Sequence, residues 1–165
     1  MVLFRNKLPT LLILFFSMFA LAVAYVSQYG FGFEPCALCY YQRIPYFAVI
    51  VLSFLSLSIR MADHRNIQVG IGLIFFIGAF LAFYHFGVEQ HWWSGTESCM
   101  HTQTLPMNFN EFQEKLLTKM PKRCDEVEWT LFGLSMSVYN IIASSVLGLF
   151  SIFSGRLATP HSYHS

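Results

Sequence analysis

Four cysteines carry the clearest chemistry in this sequence. Cys36 and Cys39 form a Cys-Ala-Leu-Cys motif, while Cys99 and Cys124 stand far from it and from each other. Such thiols serve as staples, metal ligands or redox couples, and spacing separates the three. A disulfide across Cys-x-x-Cys closes so tight a ring that it restricts almost nothing in the unfolded chain, which makes it a poor staple. The same chain-entropy relation gives a Cys99–Cys124 bridge about 3.5 kcal/mol, enough for a structural role. A zinc site would join the motif to a second close pair, which Cys99 and Cys124 do not form, so no metal is expected. Covalent haem needs a histidine directly after the motif, where Tyr40 stands. Redox work is the reading left for the first pair and, by association, for the second. Arg43 follows Cys39 by four residues, so on a helix the two share a face and the guanidinium can lower the thiol pKa. The plain alternative is an arginine snorkelling to a membrane interface.

The elements that must position these residues are membrane helices. Hydrophobic residues make up 55% of the 165 and charged ones only 12%, too apolar for an ordinary soluble domain. Eighteen phenylalanines and a mean hydropathy of +0.51 agree, and a net charge of +1 gives no reason to expect a nucleic-acid partner. Apolar runs cover about 8–29, 40–59, 67–88 and 131–153, each close to the ~20 residues that span a bilayer. All four are read as helices, because a spanning segment must satisfy its own backbone hydrogen bonds. The expected fold class is therefore an all-α membrane protein: one domain over 1–165, a four-helix transmembrane bundle with loops at about 30–39 and 89–130. Pro45 is expected in the first turns of the second helix, where its missing N–H matters little. The first run has signal-peptide features in Arg5, Lys7 and the Ala20-Leu21-Ala22 and Ala22-Val23-Ala24 triplets. It is longer than the usual apolar region of about 7–15 residues, so it is read as a retained helix.

Charge sets the orientation. With a cytoplasmic N-terminus, the inner segments hold Arg5, Lys7, Arg60, Arg65 and Arg156 against the single acid Asp63. The outer segments hold Lys115, Lys119, Lys122 and Arg123 among eight acids, all four deep in the longer loop. Trp92, Trp93 and Trp129 read as an outer aromatic belt. Both termini are expected inside and every cysteine outside. An even set of cysteines on an oxidising face reads as two disulfides. Four cysteines allow three pairings; Cys36–Cys39 and Cys99–Cys124 are favoured because each lies within its own loop. Inside the longer loop, Asn108-Phe109-Asn110-Glu111 reads as a helix start and Pro121 as a stop, with Phe109, Phe112, Leu116, Leu117 and Met120 on one face. A short amphipathic helix in the outer interface is expected there, a helix packed on the bundle being the alternative.

The run from Cys36 to Arg43, Cys-Ala-Leu-Cys-Tyr-Tyr-Gln-Arg at the mouth of the second helix, resembles the disulfide bond formation protein B (DsbB) family. So do Tyr84-His85 and Gly87-Val88-Glu89-Gln90 at the end of the third helix. A third similar block is Arg123-Cys124-Asp125-Glu126-Val127, with Trp129 and Leu131-Phe132-Gly133-Leu134-Ser135-Met136. The resemblance covers essentially the whole chain.

It implies a quinone-dependent thiol oxidase of the bacterial inner membrane, with Cys36, Cys39, Cys99 and Cys124 as redox-active residues. The implied partner is a periplasmic DsbA-like thiol oxidase, whose thiolate attacks Cys99 to form a mixed disulfide and free Cys124. Cys124 then attacks Cys36, and Cys39 leaves beside ubiquinone or menaquinone, which carries the electrons to the respiratory chain. Arg43 is the implied quinone-binding residue. His85 and His91 flank the outer end of the third helix, where each could donate a proton or hydrogen bond to the quinone, the alternative being an interface histidine satisfied by its neighbours; His91 is carried as a second quinone contact, with Gln90 the other claimant to that position. His64, His161 and His164 are expected on the cytoplasmic side and solvated. Two rivals from other classes use the same residues: a reductase resembling vitamin-K-epoxide reductase, and a scaffold with two structural disulfides.

Overall fold

Each apolar run folds as one long α-helix. The computed structural model describes residues 2–58, 64–96, 99, 122–127 and 129–157. Helices α1 (Val2–Gly30), α2 (Ala37–Ser58), α3 (His64–Glu89) and α4 (Met136–Leu157) are joined by loops, with a small hairpin of β1 (Thr130–Leu131) and β2 (Leu134–Ser135) before α4. All four helices are long and apolar enough to cross a membrane, and they form a four-helix transmembrane bundle. The amphipathic helix expected at about 108–121 lies outside the described residues, as do His161 and His164.

Neighbours in sequence are neighbours in space: α1 lies on α2, α2 on α3, and α3 packs most extensively on α4. Lipid tails are as apolar as leucine, so helices in a bilayer associate through close packing and hydrogen bonds instead of hydrophobic exclusion. The buried residues of α4 are accordingly all small: Ser137, Ser144, Gly148, Ser151 and Gly155. A Cβ on Gly72 would stand 3.0 Å from the Gly148 carbonyl oxygen, and one on Gly148 would stand 3.3 Å from that of Gly72. The two backbones touch there. Ile13, Leu21, Tyr46, Val49, Ile71 and Phe75 fill the apolar core, while Phe15, Phe19, Phe54, Phe80 and Phe153 are turned outward. Near the far end, buried Gln68 donates to Thr10 Oγ1 (2.8 Å) and accepts from Ser151 (2.7 Å), tying α1, α3 and α4.

Two local expectations are corrected. The fourth helix starts at Met136 and not near Leu131, because Phe132 and Gly133 have φ of 50° and 78°. Two successive left-handed residues cannot continue a right-handed helix; they turn a two-residue hairpin that pairs Thr130 with Ser135 and Leu131 with Leu134. Pro45 lies well beyond the first turn of α2, since that helix begins at Ala37. Its ring therefore leaves the Tyr41 carbonyl without a helical donor and packs against Gly78 of α3.

Candidate functional site

Cys36 immediately precedes α2, where the unpaired N–H groups of the first turn favour a negative sulfur, and Cys39 lies within that turn. Their sulfurs are 3.1 Å apart as thiols, and the Cys39 N–H points at the Cys36 sulfur over 3.4 Å. The other pair is a disulfide, Cys99–Cys124. Cys36, Cys99 and Cys124 are 5%, 1% and 1% exposed and share one buried cluster with Leu38 and Val88, against which Cys39 packs. Two loops far apart in sequence thus deliver all four sulfurs to one place. Trp129 stacks on Phe33 (5.9 Å) and Trp93 on Tyr84 (5.8 Å), fastening the flanks of both loops. A cysteine buried this well is shielded from bulk thiols, so exchange requires a reactant that opens the cluster.

α3 contributes the polar groups. His85 Nε2 faces the Cys36 sulfur at 3.5 Å, and the same imidazole lies beside the main chain of Cys124. Glu89, one turn on, lies 3.6 Å from His85 Nε2 and accepts from Ser137 at 2.6 Å. The Cys36 thiol is held well below its ordinary value, first by the hydrogen bond from the Cys39 thiol and, against the effect of burial, by His85. Cys36, Cys39 and His85 offer ligand atoms within 4.8 Å of one another, close enough for one thiophilic ion. The sequence argument against zinc turned on Cys99 and Cys124 and did not foresee this third donor. Beside Cys124, Arg123 grips Asp125 through two hydrogen bonds of 3.0 and 2.6 Å, which hold that carboxyl below the usual range.

Arg43 turns towards α1. Its Nη1 donates to Gln28 at 2.7 Å, and its guanidinium lies over the rings of Tyr25 (4.8 Å) and Tyr40 (5.0 Å). Among the described residues it makes no hydrogen bond to Cys39, although both stand on α2 one turn apart. His91 is not brought to the sulfurs. It is exposed, with φ 58°, and its N–H bonds Val88 (3.1 Å) while that of Trp92 bonds Gly87 (2.9 Å). That pair of bonds is a Schellman cap closing α3. His85 is the histidine at the thiols, and Gln42, Glu89, Ser137 and Asn140 join it as polar neighbours. The signal for them was present: polar side chains inside apolar spans are rare and face the bundle interior.

A family model described as disulfide bond formation protein DsbB matches residues 6–154. The chain is 30% identical over 149 residues to disulfide bond formation protein B of Actinobacillus pleuropneumoniae serotype 5b, covering 87% of this chain and 82% of that one. The corresponding protein of Xylella fastidiosa strain Temecula1 is 29% identical over 150 residues, with coverages of 85% and 86%. An uncharacterised protein of Rickettsia prowazekii is 26% identical over 148 residues, with coverages of 88% and 86%. No solved structure matches. A paired-thiol cluster at the mouth of a membrane bundle and a family match along nearly its whole length agree: the chain belongs to the disulfide bond formation protein DsbB family and is a multi-pass, disulfide-forming redox protein.

Proposed function

We propose that this protein re-oxidises a periplasmic DsbA-like dithiol oxidase and delivers the electrons to ubiquinone or menaquinone in the bacterial inner membrane. Both termini lie in the cytoplasm and the cysteine loops in the periplasm, as the distribution of lysine and arginine favours. The observation that carries this reading is the meeting of both cysteine pairs in one buried cluster at the mouth of the bundle. A purely structural bridge has no reason to lie against a second thiol pair.

The exchange steps balance as follows. A partner thiolate attacks Cys99; the Cys99–Cys124 bond breaks, and Cys124 leaves as a thiolate. Cys124 then attacks Cys36 of an oxidised Cys36–Cys39 pair, and Cys39 leaves as a thiolate. The partner's second thiolate displaces Cys99, releasing the partner as a disulfide. Cys99 then attacks Cys124 of the Cys36–Cys124 bond, which re-forms the Cys99–Cys124 bridge and frees Cys36, so the two electrons now reside on the reduced Cys36–Cys39 pair. A quinone supplies the sink, taking up two electrons and two protons. Arg43 supports a quinone site here: a guanidinium stacked between two tyrosines, on the α1–α2 side of the bundle, suits a flat ring bearing carbonyls. Gln28 holds it in that plane.

The test is purified protein with quinone and reduced partner, followed by quinone absorbance. Wild type turns over and Cys39→Ser does not, since no thiolate then faces the quinone ring. Normal turnover in Cys39→Ser sinks the assignment.

A further inference from the structure

A continuous line of hydrogen bonds runs from the thiols into the membrane-spanning part of the bundle, and nothing in the exchange steps above uses it. Tyr46 Oη donates to Asn140 Oδ1 at 2.7 Å, and Ser144 Oγ reaches the same oxygen at 3.1 Å. Asn140 Nδ2 donates to Gln42 Oε1 at 2.5 Å. Gln42 Nε2 in turn lies 2.7 Å from His85 Nδ1, and His85 Nε2 faces the Cys36 sulfur at 3.5 Å. Four of these residues come from α2 and α4 and one from α3. Polar side chains in an apolar span are costly unless paired, and here each is paired in series.

The series has a direction. An amide has one accepting and one donating end. With Asn140 Oδ1 receiving hydroxyl hydrogens, its NH2 must face Gln42. Gln42 then accepts on its oxygen, and its NH2 faces Nδ1 of the imidazole. An NH2 hydrogen can be received only by an unprotonated ring nitrogen, so the ring proton sits on Nε2. The surroundings of Nε2 agree, because both the Cys36 sulfur and the Glu89 carboxylate, 3.6 Å away, are acceptors. Ser137 occupies the other Glu89 oxygen at 2.6 Å. Besides His85, the titratable group against this sulfur is Cys39; Glu89 stands on the far side of the contact, against His85 Nε2.

We propose that Gln42 and Asn140 are positioning residues that fix His85 as the Nε2–H tautomer, so that its ring donates to the Cys36 sulfur whenever that sulfur carries charge. A donor to the thiolate stabilises the reduced pair and makes it a stronger oxidant. The lowered pKa of Cys36 is in keeping with such a donor. The inference rests on the proposed use of Cys36–Cys39 as a reducible pair, and it adds two residues inside the bundle, buried Gln42 and half-buried Asn140, that act through His85.

The experiment uses full-length reduced protein without quinone or partner. Nitrogen-15 NMR of labelled histidines, with His85 assigned by its loss in His85→Gln, reports which ring nitrogen carries the proton. Thiolate absorbance near the ultraviolet edge, in a background with Cys39→Ala, Cys99→Ala and Cys124→Ala, reports ionisation of Cys36 as the one thiol left. Wild type is expected to show a protonated Nε2 and a bare Nδ1. Gln42→Leu and Asn140→Leu are expected to mix the tautomers and weaken Cys36 ionisation about 10-fold or more, the range of a charge-assisted hydrogen bond. Combining the two changes adds little to either alone, because both act through one ring. Tyr46→Phe, which removes a single hydroxyl and keeps the packing, shifts both readings the same way by less. A wild-type His85 protonated on Nδ1 overturns the inference, and that spectrum needs no variant to fold. So does a Gln42→Leu protein whose tautomer and Cys36 ionisation match wild type. Both readings are blind to the electron acceptor, so the failure of this inference and the failure of the quinone assignment are told apart.

Discussion

Arg43 shows what one residue's chemistry decides. Spacing put it on the face of α2 that carries Cys39, and the structure turns its guanidinium to Gln28 and the rings of Tyr25 and Tyr40. Stacking on two rings uses the planarity of the group, and a lysine ammonium is a compact point charge without that plane. Arg43→Lys should therefore raise the quinone KM about 10- to 150-fold, the equivalent of a charge-assisted hydrogen bond of roughly 1.5–3 kcal/mol. Exchange with the soluble partner should hardly change, because the proposed exchange takes place at Cys99. Steady-state kinetics with each substrate varied in turn separate the two; an unchanged quinone KM with slower partner oxidation would put this arginine at the wrong step. The cysteines were legible from residue type and spacing alone, and so was a cation one helical turn from Cys39. What a reading of single residues missed was orientation. His85 and His91 look alike in sequence, yet one faces a sulfur and the other caps a helix, because α3 ends between them.

At the level of elements, hydropathy was enough for the four helices, since length and apolar content are one-dimensional properties. The hairpin before α4 was not legible, because Leu131, Phe132 and Leu134 continue the apolar pattern and only two backbone angles break it. Nor was the pairing of helices, which depends on where backbones can approach. Gly72 and Gly148 mark the closest approach, and that gives a direct test. Gly72→Leu must displace the Ile152 side chain and the Gly148 carbonyl, so it should destabilise the bundle by about 1–3 kcal/mol, the usual range for overpacking. Gly70→Leu is the control, because an added Cβ there meets nothing within 4 Å. Unfolding of both variants in mixed detergent reports the difference. Equal stabilities would mean that α3 and α4 are held by their hydrogen bonds, such as Ser151 to Gln68 (2.7 Å), and not by backbone contact.

For the molecule as a whole, the helices serve to gather sulfurs that the chain keeps far apart. Cys36 precedes α2, whereas Cys99 and Cys124 bracket a loop between α3 and the hairpin, and only the bundle brings them into one cluster. Cys99 and Cys124 are each 1% exposed, so a partner thiolate reaches the bridge only when the cluster opens. The proposed exchange gives the two bridge cysteines unequal roles, Cys99 meeting the partner and Cys124 passing the electrons inward. Mixing Cys124→Ser protein with oxidised partner tests this. The Cys99 thiolate attacks the partner disulfide and forms an adduct that no Cys124 is present to displace, so a band at the combined mass should persist on non-reducing electrophoresis. Cys99→Ser should give little of it, because in the proposed exchange Cys124 does not meet the partner. A persistent adduct in Cys99→Ser and none in Cys124→Ser would reverse the roles.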